Sequence, residues 1–333
     1  MSQLSTDPST KQNSSLKTGF MIRGKTIVLQ DYFPILLFIG LCTFFGILAP
    51  RFLTFNNFMI ILQQAVVLLV TALGMTFVII AGSIDLSVGS IVAMSALAAA
   101  MASHSIGIWS FIPAAIIGVI CGLINGVVFA KGKVPSFIAT MGAMTAYRGI
   151  VLYFTKGAPE EINNETFLAV FSGRSFGVPH SAIFALVIVI LAFIIFNYTV
   201  FGREVRAIGG GERVAILTGI NVDKVKLTMY GFFGLLCGLA GLLMSARVMA
   251  ATAQLGIGLE LDVIAAVVVG GTPLSGGIGS IQGTILGAFI ITILSNGMNQ
   301  LSVDPYLQSI IKGVVLVAAV FATIDRKKIG IIK

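Results

Sequence analysis

Long apolar stretches alternate with short polar segments along most of this chain. About 20 apolar residues are enough to cross roughly 30 Å of hydrocarbon, and on that basis seven clear spans are predicted. They cover residues 33–49, 58–81, 108–130, 134–155, 181–200, 227–246 and 306–324. Three less regular stretches, rich in Gly, Ser and Ala, lie at 88–103, 260–271 and 279–296, and the second is too short for a full crossing. The pattern predicts an all-α polytopic membrane protein with about ten transmembrane helices, some of them short or broken.

Composition and charge agree with this class. The chain of 333 residues is 57% hydrophobic and only 10% charged, whereas a soluble domain carries about 25% charged residues. Cytoplasmic flanks of membrane spans retain Lys and Arg. With ten crossings and a cytoplasmic N-terminus, fifteen of the 21 basic residues fall on the cytoplasmic side and four on the outer side, and the other two lie within spans. The net charge of +8 is therefore interpreted as a topology signal and not as a nucleic-acid-binding patch, and both termini are predicted to be cytoplasmic.

The spans define a simple domain organisation. Residues 1–32 are predicted to form a cytoplasmic tail and an interfacial segment, and residues 326–333 a basic cytoplasmic tail. Residues 33–325 are predicted to form a single transmembrane domain in contact with membrane lipid, with one long charged cytoplasmic loop at 201–226.

Two Gly/Ser-rich segments interrupt the apolar pattern. The first, "GSIDLSVGS" at 82–90, carries a carboxylate, Asp85, between two spans, and the second, "GTPLSGGIGSI" at 271–281, has a similar texture. A break of this kind is tolerated at membrane depth only where it is buried in protein or lines a watery cavity. Short Gly-interrupted segments in corresponding places of two halves indicate a translocation site, although Gly/Ser-rich strings also match by chance.

Asp85 has two possible roles. It can cap the helix that follows, because an Asp just before a helical run accepts backbone N–H bonds. Alternatively, it faces the transport route or an interdomain contact, because ionisable groups near membrane spans are often functional.

Candidates for the translocation pathway or gate come from these two segments and from polar residues in or beside spans. For the span residues the alternative role is interhelical hydrogen bonding, worth about 0.6 kcal/mol on average in a membrane. The candidates are Gly82, Asp85, Ser87, Asn125, Ser136, Thr140, Gly271, Ser275 and Asn296.

The loop at 201–226 contains a short predicted helix. Three consecutive glycines disfavour a helix, but the following "ERVAILT" favours one, with Glu212 in its first turn and Gly219 as its C-terminal stop. Two turns are too few for a helix to be stable alone, so it is expected to dock on a protein surface. Val214 and Leu217 are three apart and provide one apolar contact face. The loop is therefore predicted to dock a cytoplasmic partner, and not to be an ordinary solvated connection.

Four segments carry further information: "ALGMTFVIIAGSIDLSVGSI", "AKGKVPSFIATMGAMTAYRGI", "FGREVRAIGGGERVAILTGI" and "ELDVIAAVVVGGTPLSGGIGS". They resemble the signature segments of a known family, the permease subunits of bacterial ABC importers for ribose and other simple monosaccharides. The resemblance covers residues from about 50 to 324. It implies a protein of the bacterial inner membrane that forms part of a monosaccharide pathway.

The same resemblance implies partners. These are a second permease subunit, identical or related, a cytoplasmic ATPase that binds ATP and Mg²⁺, and a soluble periplasmic or extracellular sugar-binding protein. It also implies that the 201–226 loop is the region that couples to the ATPase. The coupling residues are expected to be Gly202, Arg203, Gly209, Gly210, Glu212, Ala215 and Gly219, together with Leu217 of the apolar face. The family commonly has Asn at the third of the three glycines, so this chain departs from it there.

The residues themselves exclude other chemistry. The chain has no phosphate-binding G-x-x-x-x-G-K-[ST] pattern, so it is not expected to bind or hydrolyse ATP, and it is expected to hold no cofactor or metal. With two histidines and no G-x-S-x-G segment, an enzyme is disfavoured. Two transport alternatives stay open. One is a branched-chain amino-acid ABC permease, and the other is an ion-coupled sugar carrier that uses Asp85, Glu260 and Asp262 as coupling carboxylates. A structural or receptor protein ranks third.

Overall fold

The apolar runs of the sequence form a bundle of α-helices. The computed structural model describes the backbone of residues 19–22 and 25–323 and the side chains of residues 33–321. The helices in chain order are α1 (Leu29–Leu48), α2 (Phe55–Ile80), α3 (Val88–Ile106), α4 (Phe111–Ala130), α5 (Ser136–Thr155), α6 (Glu165–Phe171), α7 (His180–Tyr198), α8 (Val200–Gly210), α9 (Glu212–Leu217), α10 (Val222–Val248), α11 (Leu259–Val269), α12 (Ile281–Gln300) and α13 (Pro305–Thr323). Helices α3 and α4 are joined by a 3-10 turn at Gly107–Ser110.

Short antiparallel strand pairs complete the described chain. Strands β1 (Gly19–Ile22) and β2 (Lys25–Val28) pair just before α1. Strand β3 (Glu160–Glu161) pairs with β6 (Ala250–Ala251), and β4 (Arg174–Ser175) pairs with β5 (Val178–Pro179). Since β3, β4 and β5 all lie between α5 and α7, they order that long connection.

All ten predicted spans coincide with helices. Within the part of the chain that the structure describes, six stretches are long and apolar enough to cross a membrane: α2, α5, α7, α10, α12 and the continuous run of α3 and α4 at Val88–Ala130. The described parts of α1 and α13 are shorter apolar helices, and α11 has 11 residues, too few for a full crossing as expected. The prediction of an all-α polytopic membrane protein is confirmed. The predicted tails at 1–32 and 326–333 lie outside the residues whose side chains are described.

Helices α2 and α10 form the centre of the bundle. Helix α2 packs against α10, α12, α11 and α7, and α10 packs against α4 and α3. By contrast, α4 and α7 expose large apolar side chains such as Ile116, Ile120, Leu186 and Ile190. Exposing such area to water costs about 25 cal/mol per Å², so these outer faces are suited to hydrocarbon.

A row of glycines brings α4 and α10 into backbone contact. Gly118, Gly122 and Gly126 are spaced four apart on α4, and Gly234 and Gly238 face them from α10. A Cβ added at Gly118 or Gly122 would overlap a carbonyl oxygen of α10, and one at Gly234 would overlap a carbonyl oxygen of α4. Small residues at this spacing allow two membrane helices to approach closely. Along this row, the distance between α4 and α10 is therefore set by main-chain atoms.

Two basic residues that fall inside predicted spans have partners. Arg148 donates to the carbonyl oxygens of Ala253 and Leu255. Lys312 donates to Asp262 at 2.8 Å, and both side chains are about a quarter exposed. Each cation is thus compensated by a group far away in sequence.

Candidate gate and coupling site

The predicted coupling loop begins with a longer helix than the sequence indicates. Helix α8 starts after Thr199, whose Oγ1 accepts a hydrogen bond from the Gly202 N–H at 3.2 Å, and buries Val205 and Ile208. The expected helix break at the three glycines is wrong for the first two, because α8 continues through Gly210. Each glycine costs a helix about 1 kcal/mol, and tertiary packing of α8 offsets that cost. The chain turns only at Gly211.

Helix α9 has the boundaries that the sequence predicts. It begins at Glu212 and ends at Leu217. Gly219 has a φ of +85°, its N–H donates to the Ile216 carbonyl, and the Ile220 N–H donates to the Ala215 carbonyl. These two bonds form a Schellman motif, which favours glycine because of the left-handed backbone. The role of Gly219 as helix stop is confirmed.

An ion pair fixes α9 against the bundle. Both carboxylate oxygens of Glu212 accept hydrogen bonds from Lys226 Nζ of α10 at 2.9 Å. The Lys226 side chain is only 9% exposed, against 50% for Glu212, and its ammonium lies 4.4 Å from the centre of the Phe129 ring of α4. A desolvated ammonium needs such partners. The start of α9 is therefore linked to α10 and α4 together.

Helix α9 also carries exposed apolar side chains. Ala215 is the buried residue of this helix, whereas Val214, Ile216 and Leu217 are 64%, 56% and 81% exposed. The predicted apolar face of Val214 and Leu217 thus points away from the chain itself. Ile216, which sequence reasoning missed, is exposed as well and lies four residues after Glu212, on the other side of Leu217 from Val214. Three adjacent exposed aliphatic side chains on a six-residue helix form a surface suited to a protein partner. This surface is called the α9 face below.

Helix α8 meets both Gly/Ser segments at the end of α2. A Cβ added at Gly209 would overlap the Ile80 carbonyl oxygen and would lie 2.7 Å from the Gly277 nitrogen. The Gly277 N–H donates to that same carbonyl at 2.8 Å. Gly276, at a φ of +77°, is also in close contact, since its Cβ would lie 2.8 Å from the Gly82 nitrogen. We call this meeting point of α2, α8 and the 271–281 segment the junction.

The carboxylate of Asp85 is fully buried beside the junction and is surrounded by donors. Its Oδ1 accepts from the N–H and Oγ of Ser87, both at 2.6 Å, and its Oδ2 accepts from Asn125 Nδ2 at 3.2 Å. Asn125 also donates to Ser87 Oγ at 2.8 Å and accepts from the Tyr147 hydroxyl at 3.0 Å. Burial raises the pKa of Asp85 to about 6, against the lowering effect of these hydrogen bonds. The network joins the α2–α3 connection to α4 and α5.

The capping role considered for Asp85 is wrong in its geometry. Ser87 occupies the position before α3, and no side chain caps that helix. Asp85 does accept a backbone N–H, but that of Ser87 itself and not one from inside the helix. The connection is instead held by α5, because the Ile84 N–H donates to Ser136 Oγ at 3.4 Å and the Leu86 N–H donates to Thr140 Oγ1 at 3.1 Å.

The structure groups most of the predicted pathway candidates. Gly82, Asp85, Ser87, Asn125, Ser136 and Thr140 lie together around the α2–α3 connection, and Gly271 and Ser275 belong to the segment that reaches it. Asn296 does not join them, since it lies fifteen residues along α12 from Ile281, about 22 Å at 1.5 Å per residue. Sequence reasoning missed Ile80, Gly276, Gly277, Tyr147 and Lys226, because their roles come from contacts between distant segments.

Comparison with known proteins places the chain. Residues 57–320 match the family model described as branched-chain amino acid transport system / permease component. The chain belongs to this permease family. It is a multi-pass protein of the bacterial inner membrane, and its helices fit that location. No solved structure matches it.

Several relatives match this chain over most of its length. The chain is 42% identical to the ribose import permease protein of Escherichia coli (strain K12) over 287 residues, which is 84% of this chain and 89% of that protein. It is 41% identical to the ribose import permease protein of Bacillus subtilis (strain 168), over 90% of this chain and 94% of that protein. A xylose transport system permease protein of Haemophilus influenzae is 32% identical, over 92% and 100%. The resemblance expected from the four segments is confirmed.

Proposed function

We propose that this permease forms the path of a monosaccharide, ribose or a similar pentose or hexose, through an ATP-driven importer. The family description names branched-chain amino acids, whereas relatives with 32–42% identity over most of the chain are named for ribose and xylose import. The amino-acid alternative is therefore not favoured. A binding protein on the outer side delivers the sugar, and a second permease subunit completes the path.

The energy comes from a separate ATPase that holds ATP and Mg²⁺. The permease contributes no phosphate-binding loop. Its contribution is the α9 face, which presents exposed aliphatic side chains on the predicted cytoplasmic side and is tethered by the Glu212–Lys226 pair. A groove in the ATPase surface covers this face and removes it from water.

The observation that carries the coupling proposal is the contact of Gly209 with Ile80 and Gly277. When the ATPase domains close, they push α9, and α8 moves with it. Helix α8 touches the end of α2 through main-chain atoms. Its motion is therefore passed to α2 and the 271–281 segment directly, because no flexible side chain lies between them to absorb it. Rearrangement of the junction then alternates access of the path between the two sides.

An ion-coupled carrier fits these contacts less well. Such a carrier needs a carboxylate that is free to exchange its ion. Asp262 is paired with Lys312, and Glu260 accepts the Gly258 N–H at 3.3 Å. Asp85 is enclosed by donors on the chain itself. All three carboxylates thus have structural partners.

Reconstitution tests the proposal. The permease is placed in liposomes with the ATPase and the binding protein encoded beside it, and uptake of labelled D-ribose is measured. Uptake that requires ATP, and that continues when ionophores collapse the proton and sodium gradients, is the expected result. Uptake driven by an ion gradient without ATP would refute an ABC importer, and transport of L-leucine in place of sugars would refute the substrate class.

The α9 face has its own test. Leu217→Ser is expected to reduce co-purification of the ATPase, because it removes the most exposed aliphatic group of the face. The matched control is Leu53→Ser, since Leu53 is 76% exposed but lies on the predicted outer side. Equal recovery of the ATPase with both variants would place the docking surface elsewhere.

A further inference from the structure

Carboxamide side chains line the ends of α2 and α12 that lie away from the junction. On α2 they form two adjacent pairs that stand seven positions apart, so the same side of the helix carries carboxamides again after two turns. On α12 three of them occur within five residues. They are Asn56, Asn57, Gln63 and Gln64 on α2, and Asn296, Asn299 and Gln300 on α12. So many amides on two otherwise apolar helices require an explanation, because polar side chains within membrane segments are costly.

Most of these amides line an open cleft. It has a volume of about 410 Å³ and lies between the α1–α2 connection and the last turns of α12, within the range of about 300–1,000 Å³ that is typical of small-molecule sites. Five of its lining residues are carboxamides, and its single charged lining residue is Arg51. The carboxamides are Asn56, Asn57, Asn296, Asn299 and Gln300.

Hydrogen bonds fix the walls of the cleft. Asn296 is buried, and its Nδ2 donates to Gln64 Oε1 at 3.3 Å, which joins α12 to α2. Asn57 Nδ2 donates to the Phe52 carbonyl at 2.8 Å. Asn299 Oδ1 accepts from Gln308 Nε2 at 2.8 Å. Since these three amides are already oriented, ordering them on ligand binding costs little.

The chemistry of the cleft selects a neutral polyhydroxylated ligand. A carboxamide presents donors and an acceptor side by side, which matches sugar hydroxyls that donate and accept at once. No acidic residue is among the residues described as lining the cleft, so the ammonium group of an amino acid would have no counter-charge there. An aliphatic side chain would find amides where it needs apolar walls.

The cleft also stands at one end of a polar seam. The Gln64–Asn296 bond links α2 and α12 at the cleft, and the Thr76 and Thr284 hydroxyls link the same helices at 2.6 Å near the junction. Twelve residues of α2, about 18 Å, separate Gln64 from Thr76. Resting on the function proposed above, we infer that the cleft is an outer subsite that receives the monosaccharide before the seam between α2 and α12 opens.

The test measures binding of D-ribose to the full-length permease in nanodiscs, and saturation-transfer NMR detects the bound sugar. The double variant Asn56→Ala with Asn299→Ala changes two exposed side chains, so folding is expected to survive. Each lost neutral hydrogen bond is expected to weaken ribose binding about 2- to 10-fold. Asn197→Ala is the matched control, because Asn197 lies on α7 and donates only to the Phe193 carbonyl of its own helix. It is expected to bind ribose as the wild type does.

Three results would overturn the inference: no ribose signal from the wild type, equal ribose affinity in the double variant, or equal saturation transfer to L-leucine. A further cleft variant, Asn296→Leu, removes the hydrogen bond from Asn296 to Gln64 that joins α12 to α2, and it is expected to abolish the saturation-transfer signal of ribose. ATP-driven uptake by the reconstituted wild type separates the two proposals. If ribose uptake occurs but the cleft variants transport and bind normally, only the cleft inference fails, whereas absence of sugar uptake refutes the proposed function itself.

Discussion

Replacing Gly209 by Ala is the most direct test of the junction. The added methyl group would overlap the Ile80 carbonyl oxygen, which already accepts the Gly277 N–H at 2.8 Å. Main-chain atoms on both sides leave no flexible side chain to yield. Helix α8 must therefore retreat from α2 by about 2 Å, since the Cβ would lie 1.7 Å from the Ile80 carbonyl oxygen and non-bonded atoms need roughly 3.5 Å.

The change in stability that Gly209→Ala causes is the sum of two destabilising effects and one stabilising effect. Overpacking a tight contact costs about 1–3 kcal/mol, and leaving the Gly277 N–H without its acceptor costs about 1–3 kcal/mol more. Alanine in a helix recovers about 1 kcal/mol relative to glycine. The net destabilisation is thus about 1–5 kcal/mol. If 1–3 kcal/mol of it is coupling energy, ribose transported per ATP falls about 5-fold or more.

Gly210→Ala provides the control, because Gly210 is also in α8 and a Cβ there meets nothing within 4 Å. Although the family resemblance implies a coupling role for Gly210 as well, the contact geometry assigns that role to Gly209 and not to its neighbour. It is expected to keep wild-type uptake and to gain up to about 1 kcal/mol of stability. The assay measures ribose uptake and ATP hydrolysis in the same reconstituted vesicles, with thermal unfolding of each purified variant. If Gly209→Ala matches Gly210→Ala in all three measurements, the contact does not transmit motion and the reasoning is refuted.

Three further predictions concern the coupling helix and the buried carboxylate. Gly219→Ala forces a left-handed backbone on a residue with a Cβ, at a cost of about 1–2 kcal/mol, so uptake per ATP should fall while membrane insertion is unchanged; unaltered coupling would contradict this. Glu212→Gln leaves the buried ammonium of Lys226 without its counter-charge and should lower the unfolding free energy by about 1–2 kcal/mol, a value kept small because Glu212 is half exposed. Adding Lys226→Met should recover part of that stability in a double-mutant cycle. Strictly additive changes in unfolding free energy would show that the two side chains do not interact. The pKa of Asp85 is raised from 3.8 to about 6, so the fold favours the protonated carboxyl, and the stability that this contributes is complete below pH 4 and is lost as the pH rises through 6. The unfolding free energy of Asp85→Asn, relative to that of the wild type, should therefore increase by up to about 3 kcal/mol between pH 4 and 7.5. A difference that does not change with pH would show that the carboxyl does not titrate in this range.

Hydrophobic periodicity was sufficient to predict the spans and the class of the protein. Every predicted span falls on a helix, because a lipid-facing or core helix of this length needs an apolar run that is visible in sequence. The α9 boundaries were also predictable, since Glu212 at the start and Gly219 at the end act within one helical turn. Local signals therefore carried the local structure.

Signals that depend on distant contacts were not predictable. The helix through Gly209 and Gly210 contradicts intrinsic propensity. Glycine is needed at 209 because a carbonyl group 129 positions away, that of Ile80, leaves no room for a Cβ. Likewise, the partners of Arg148 and Lys312 come from other helices, separated by 105 and 50 positions. The two Gly/Ser segments were recognised as similar, but only the fold shows that they touch.

The glycine row between α4 and α10 has a consequence for how this protein can change over generations. A side chain in an ordinary core can shrink when its neighbour grows, but no residue is smaller than Gly118, Gly122, Gly234 or Gly238, so an enlargement on one helix has no compensating replacement on the other. We therefore expect α4 and α10 to keep these main-chain contacts and to move together, and α10 begins five residues beyond α9. Variation that alters which solute is carried must therefore accumulate elsewhere, on the helices that keep adjustable side chains between them.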